Sequence, residues 1–243
     1  MILAPPISQL ADNPGCPVEL IARPLYNQDM KFLIFLGSAR DSTPPRPARL
    51  GQRVSMMCHR LIADRAHDAQ IIDPLDYEMG GIFKPHFAYA EGRAPQALSD
   101  LAEAILAADG YVMVSPEYNH SMSPALAHLL NHFGASRFAW KPSAIVTYSA
   151  GQWGGARAAM GMRGFLSELG CLPVSAMSHL PKAQEVLDDE GAWTSESAKW
   201  DSYVGRTLGQ LEWWAEAAQR QRLEGDTRAT GAFDRAPSQR NAP

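Results

Sequence analysis

Apolar residues in this chain come in short unbroken runs separated by amphipathic stretches, not in strict alternation. KFLIFLG (31–37) is continuous and closes on glycine, as expected of a strand buried on both faces. Four further runs share this character: AQIIDP (69–74), ending at its proline; YVMVS (111–115), after the Asp109-Gly110 turn; SAIVTYS (143–149); and CLPVSAM (171–177), whose Pro173 suits a sheet edge. Between them the apolar spacing changes to that of a helix. Val54, Met57, Cys58 and Leu61 fall at i, i+3, i+4 and i+7. Leu98, Leu101, Ala102 and Ile105 mark a second helix, with Pro95 placed for its first turn. Ser123-Pro124 reads as an N-cap followed by Pro at N1, ahead of a stripe of Leu126, Leu129, Leu130 and Phe133. Met162, Phe165, Leu166 and Leu169 form a fourth face that stops at Gly170, a suitable C′ residue. A last helix is expected over about 195–222, carrying Trp200, Tyr203, Val204, Thr207, Leu208 and Leu211 on one side.

Buried strands alternating with amphipathic helices predict an α/β fold with a doubly wound, five-stranded parallel sheet and helices on both faces. The predicted division is an N-terminal arm (1–29), an α/β domain (30–222) and a polar tail (223–243) too poor in patterned apolar residues to build a core. In such folds ligands sit beyond the carboxyl ends of the strands, where the strand order reverses. The loops that leave the sheet after Gly37, Ser115 and Ser149 are therefore the ones to read for chemistry.

Composition narrows the function classes. The 243 residues carry 22 Lys and Arg against 26 Asp and Glu, a net charge of -4. That balance argues against general nucleic-acid binding, which rests on many basic contacts to phosphate. No stretch approaches the roughly 20 apolar residues that span a bilayer, and the opening MILAPPISQL does not read as a signal peptide. The three cysteines (Cys16, Cys58, Cys171) cannot all pair within one chain and form no CxxC, which suits a reducing cytoplasm. Cys58 falls on the core face of its helix, a packed thiol and not a nucleophile.

The first loop, Gly37-Ser38-Ala39-Arg40-Asp41-Ser42-Thr43, leads through Arg46 and Arg49 to Gly51. A glycine at the strand end permits a tight turn, and the next helix directs its free N–H groups and positive end at the loop. Hydroxyls at Ser38, Ser42 and Thr43 and the guanidinium of Arg40 would suit a terminal phosphate; equally, the segment reads as a polar turn with solvated arginines. Neither GxxxxGK[ST] nor GxGxxG is present, which disfavours an NTPase or a dinucleotide Rossmann domain. The second loop, Ser115-Pro116-Glu117-Tyr118-Asn119-His120-Ser121, offers an aromatic face with a polar end at Tyr118. The third, Ser149-Ala150-Gly151-Gln152-Trp153-Gly154-Gly155-Ala156-Arg157, lets backbone approach a planar ring closely. Each could be an ordinary turn; their convergence on one sheet edge favours a site for a flat, phosphorylated ligand.

GSAR after the first strand, SPEYNHS after the third and SAGQWGGARA after the fourth resemble the NADPH-dependent FMN reductase family, whose relatives act on quinones, azo dyes and chromate. The likeness runs from about residue 31 to 190. It implies a flavodoxin-like fold with strand order 2-1-3-4-5, bound FMN, NADPH or NADH as reductant, and a homodimer or homotetramer. By this resemblance Ser38 and Arg40 would grip the FMN phosphate, assisted by Ser42 or Arg49. Pro116, Glu117, Tyr118 and Asn119 would border the isoalloxazine, and Ser149, Gly151, Gly154 and Gly155 would line its other edge. The chain departs from the family in DSTPPRPARLGQR, a Pro- and Arg-rich insertion before the first helix.

A flavin carries the difficult electronics itself, so the protein need only bind, orient and exclude; no catalytic side chain and no metal ligand is expected. His128 and His132 share a helix face at i, i+4 but lack the Glu of HExxH, and read as a solvated or subunit-facing pair. Trp213-Trp214 is expected in core or interface. Two other function classes share this fold: a flavodoxin-like electron carrier, whose usual acidic excess is missing here, and a non-catalytic interaction protein that has lost its cofactor.

Overall fold

The computed structural model describes residues 29–40, 49–78 and 82–225. Most of the expected arm and tail, and Ser42 with them, lie outside the described residues. The elements run β1 (Lys31–Leu36), α1 (Leu50–Ala63), β2 (Asp68–Ile72), α2 (Gln96–Ala107), β3 (Gly110–Tyr118), β4 (Ser121–Met122), α3 (Pro124–Asn131), α4 (Ala135–Phe138), β5 (Pro142–Tyr148), α5 (Ala156–Glu168), β6 (Leu172–Leu180), α6 (Ala183–Val186) and α7 (Ser197–Glu224). The order across the sheet is β2-β1-β3-β5-β6, parallel throughout. These five strands are the five apolar runs, in the order that the resemblance implies. The addition is β4, which pairs antiparallel with the end of β3; two residues are too few to show a period in sequence.

Alternation along the strands sends successive side chains to opposite faces, and two cores result. Phe32 and Ile34 of β1 pack with Val112, Val114, Val146 and Tyr148 against α1, α6 and α7. Leu33 and Phe35 pack with Tyr111, Met113 and Ile145 against α2, α3 and α5. Both layers are nearly sealed from solvent, which is why the strands read as unbroken apolar runs. Pro173 lies in β6, at the sheet edge as expected.

The sequence places the end of the third strand at Ser115, yet β3 continues through Pro116 to Tyr118. Pairing explains how a proline survives there. Gly37 donates its N–H to the Val114 carbonyl at 2.7 Å, so backbone groups of Val114 face β1. Those of Pro116, two residues on, face the same way. The last β1 partner is Leu36, opposite Val114, so the N–H that proline lacks has no ladder to complete. On its other side Pro116 pairs with Tyr148 of β5.

The strand order reverses between β1 and β3, and at their exit the backbones nearly touch. A Cβ on Gly37 would be driven into the Val114 carbonyl oxygen and against Leu126. Gly37→Ala is therefore expected to lower unfolding free energy by about 1–3 kcal/mol through overpacking, as read from urea denaturation of the variant beside the parent. An unchanged midpoint would show that β1 and β3 have slack at their exit.

Candidate functional site

Three connections leave the carboxyl edge side by side, after β1, after β3 and after β5. Helices α1, α3 and α5 all begin at this edge; α3 is capped by the Ser123 side chain, while the electrostatic treatment of α1 and α5 differs. At α5 the protein supplies its own anion. One carboxylate oxygen of Glu117 accepts the backbone N–H groups of Arg157 (3.1 Å) and Ala158 (3.4 Å), and the other accepts from the Arg157 guanidinium at 2.7 Å. Desolvation would raise the Glu117 pKa, but the Arg157 side-chain bond and the two amide bonds outweigh it and hold the carboxyl below its ordinary value. The carboxylate that resemblance sets at the ring's border is thus engaged with the amino end of α5.

At α1 no such carboxylate is present among the described residues. Arg49 occupies the N-cap position, and its side chain makes no capping bond. Its buried guanidinium instead donates to the Ser38 carbonyl and pairs with Asp73. Arg49 therefore braces the first loop from behind. The first turn of α1 keeps its positive end and a set of inward N–H groups for a ligand. Around that turn stand Ser38, buried to 3% exposure, and Arg40, whose guanidinium lies 5.5 Å from the Tyr118 ring centre. The cation–π contact links the first and second loops. Tyr148, the last residue of β5, brings its hydroxyl to the same place: a Cβ on Gly51 would lie 2.5 Å from it and 3.1 Å from Ser38 Cβ. The sequence reading passed over Tyr148 because it stands inside a buried strand.

The second connection is short. Asn119 and His120 both have positive φ (50° and 61°) between paired Tyr118 and Ser121, the backbone of a type I′ hairpin turn. Ser115 Oγ receives the Ser123 N–H at 3.0 Å and donates to the Pro116 carbonyl at 2.8 Å, which fixes the strand below the turn. Ser123 in turn caps α3 through Ala125 N–H at 3.2 Å.

The third connection is held by Ser149, whose hydroxyl donates to the Gly151 carbonyl (2.8 Å) and accepts the Gly154 N–H (3.0 Å). Gly154 and Gly155 both adopt positive φ, and each lies against backbone or side chain of β5 or β6 where a Cβ would collide. Gly151 faces open space. Beneath them Thr147 Oγ1 and His179 Nδ1 stand 2.7 Å apart, tying β5 to β6. Trp153 projects from the loop with 61% of its surface exposed, and the Arg157 guanidinium lies 5.5 Å from its ring centre. Trp153, Arg157 and Glu117 thus form a continuous chain between the second and third connections. In the sequence the signal for Trp153 is an aromatic flanked by glycines in a strand-exit loop.

The donor set fits an anionic group at α1 with a flat ring toward the other two connections. Ser38, Arg40 and the α1 amides could hold a phosphate, while Tyr118 and the glycine-lined third connection border the adjoining space. One other expectation needs correction. His132 is not solvated: Phe83 packs on it at 4.9 Å between ring centres, His86 N–H bonds its carbonyl, and it is 1% exposed. Burial, reinforced by neighbouring His128, disfavours its protonated form despite a backbone hydrogen bond at Lys84. The reason lies in residues 82–88, which fold back over α3. Of the two places expected for Trp213 and Trp214, the core is ruled out, since they are 61% and 45% exposed. Cys58 and Cys171 are buried free thiols, both pushed up to about 12, chiefly by desolvation.

Residues 30–185 match the family model described as NADPH-dependent FMN reductase. The chain is 32% identical over 126 residues to an NAD(P)H-dependent FMN reductase of Pseudomonas aeruginosa, covering 49% of this chain and 66% of the relative. It is 36% identical over 72 residues to an NADPH azoreductase of a Bacillus species, covering 30% of this chain and 40% of that relative. The alignments thus span less than two thirds of either relative's length. Among solved structures, the flavoenzyme NAD(P)H:(acceptor) oxidoreductase FerB of Paracoccus denitrificans superposes with a TM-score of 0.58 at 20% identity, covering 75% of this chain and 97% of that one. The likeness to FerB is one of fold.

Glu117 also makes stability depend on pH. Its folded pKa lies below its unfolded value, so its contribution is present above the ordinary glutamate range, near 4.3, and is lost as pH falls through the folded pKa. Glu117→Gln should lower the thermal midpoint at pH 7 and narrow the difference from the parent on acidification. Parallel melting curves between pH 7 and pH 3 would refute this coupling.

Proposed function

Because the chain belongs to the NADPH-dependent FMN reductase family, we propose that it is an NAD(P)H-dependent oxidoreductase that holds FMN non-covalently at the carboxyl edge of its sheet. In this reading NADPH or NADH reduces the flavin, and a small acceptor such as free flavin, a quinone or a similar ring reoxidises it. The observation that carries the reading is the asymmetry between the two helix ends. The protein neutralises α5 with Glu117 and leaves α1 to an anion from outside, beside Ser38 and Arg40. When bound, FMN supplies the hydride and electron chemistry.

The residues divide the remaining work. Ser38, Arg40 and the first α1 amides hold the ribityl phosphate, the charge on Arg40 serving for affinity. Arg49 keeps Ser38 in place through its carbonyl; Ser42 could assist from the neighbouring segment. Pro116, Tyr118 and the Asn119 turn border one edge of the isoalloxazine, with Glu117 fixing that border to α5. Ser149, Gly151, Gly154 and Gly155 line the other edge, the last two because only glycine permits that backbone to lie so near the sheet. The exposed indole of Trp153 offers a face to an aromatic acceptor. The reading carries with it a cytoplasmic homodimer or homotetramer acting on small molecules. Reduced, buried Cys58 and Cys171 suit that compartment, and the exposed Ile82 and Phe87 suit self-association.

The test is a visible spectrum of the purified protein before and after anaerobic NADPH. We expect a yellow chromophore that bleaches. A flavin that NADPH leaves oxidised would identify an electron carrier, and a colourless protein indifferent to added FMN would overturn cofactor binding altogether. Arg40→Ala removes charge-assisted hydrogen bonds worth about 1.5–3 kcal/mol, so it should purify largely free of flavin, with an FMN Kd at least an order of magnitude weaker. Parental flavin content in that variant would place the phosphate elsewhere.

A further inference from the structure

One pair of side chains outside the three connections carries lone pairs that nothing engages. His128 lies in α3, and His132 directly follows its last residue. Because His132 keeps helical backbone (φ -66°, ψ -19°), the two stand one turn apart on the same face. Their ring centres are 5.1 Å apart and the ring planes nearly perpendicular, at 82°. His132 is 1% exposed, and neither of its buried ring nitrogens has a hydrogen-bond partner of full geometry. His128 is half-buried. The Phe83 ring lies against both, 5.5 Å from the His128 centre and 4.9 Å from that of His132, and is itself 48% exposed. The His86 N–H bonds the His132 carbonyl at 2.8 Å and ties the covering segment to the end of α3.

A buried polar nitrogen in a folded protein is normally hydrogen-bonded, and an exception calls for an explanation. A neutral imidazole holds one N–H and one lone pair in either tautomer, so His132 keeps a lone pair beside a second imidazole. Two imidazoles that share a metal at about 2.0–2.1 Å from each ligating nitrogen have ring centres roughly 5 Å apart. That is the separation found between His128 and His132. No third His, Cys, Asp or Glu joins the pair among the described residues. A metal here would therefore take its remaining positions from water. Imidazole ligands favour Cu2+, Ni2+ and Zn2+ over Mg2+ and Ca2+, which seek oxygen.

We propose that His128 and His132 form a two-histidine site for a borderline divalent transition-metal ion, Cu2+ or Zn2+, entered when the Phe83 ring swings aside and completed by water. Phe83 leaves at small cost, because about half of its surface is already in solvent. Neutral imidazole is the ligating form, and burial of His132 favours it. Spacing at i, i+4 is common on solvated helix faces; a buried ring without partners is what sets this pair apart. The inference is independent of the flavin reading: the metal is assigned no part in hydride transfer, and neither proposal falls with the other.

The experiment titrates tag-free, full-length protein with ZnCl2 by calorimetry and examines the Cu2+-loaded protein by pulsed EPR. We expect one Zn2+ per chain, tighter binding of Cu2+ in keeping with the order of divalent metals, and nitrogen couplings from two imidazoles on the copper. His128→Gln, at the half-buried member of the pair, should weaken Zn2+ by about tenfold or more, the order lost when a metal site is deprived of even a supporting group. It should also leave a single imidazole coupled to copper. His59→Gln, at an exposed histidine of α1, should change neither readout. Phe83→Ala, which touches no ligand, should strengthen Zn2+ binding severalfold because the ring no longer competes for the place. Undiminished binding in His128→Gln, one Zn2+ shared by two chains, a single imidazole coupling in the parent, or Zn2+ held no more tightly than Mg2+ would each overturn the site. Unchanged affinity in Phe83→Ala would overturn the route by which the metal enters.

Discussion

The carboxylate of Glu117 at the amino end of α5 is the contact on which the geometry of the edge depends. It joins the end of β3 to the start of α5 and fixes Arg157, against which Trp153 lies. A helix amino end facing a strand exit is an anion site unless something fills it. Here the amino end of α5 is filled by a carboxylate and that of α3 is capped by Ser123. The remaining end, at α1, keeps its positive charge for an anion from solution, which is where the proposed phosphate site falls. The position of the site follows from which helix the protein neutralises.

The surrounding backbone is stiff before any ligand arrives. A two-residue turn with both residues at positive φ leaves little freedom at Asn119 and His120. Gly154 and Gly155 are pressed against β5 and β6, and Ser149 closes that loop with two hydrogen bonds. Little of the ordering cost of association falls on such loops. Arg40 and Trp153 stand exposed on this fixed frame, each against an aromatic or guanidinium partner.

Much of this was legible in the residue order. Parallel strands covered on both faces become apolar runs, and the helix that opens with Ser123-Pro124 declares its start through its cap. What the sequence concealed depends on partners distant along the chain. Arg49 looks like a phosphate ligand until Asp73, on a different element, is seen to hold it. Tyr148 reads as core because only the packing of β5 under α1 brings its hydroxyl to Ser38 and Gly51. His132 falls off the apolar stripe of α3 considered alone, and residues 82–88 bury it from outside. The passage of β3 through Pro116 could not be inferred without knowing that β1 stops two residues earlier.

The two described thiols bear on the redox character of this domain. Cys58 is sealed beneath α1 and Cys171 stands at the start of β6, toward the opposite end of the sheet, each with its thiolate strongly disfavoured. Sulfur reacts with oxidants and disulfides as the anion. Among the described residues neither thiol is poised to react with an oxidant or to form a dithiol pair.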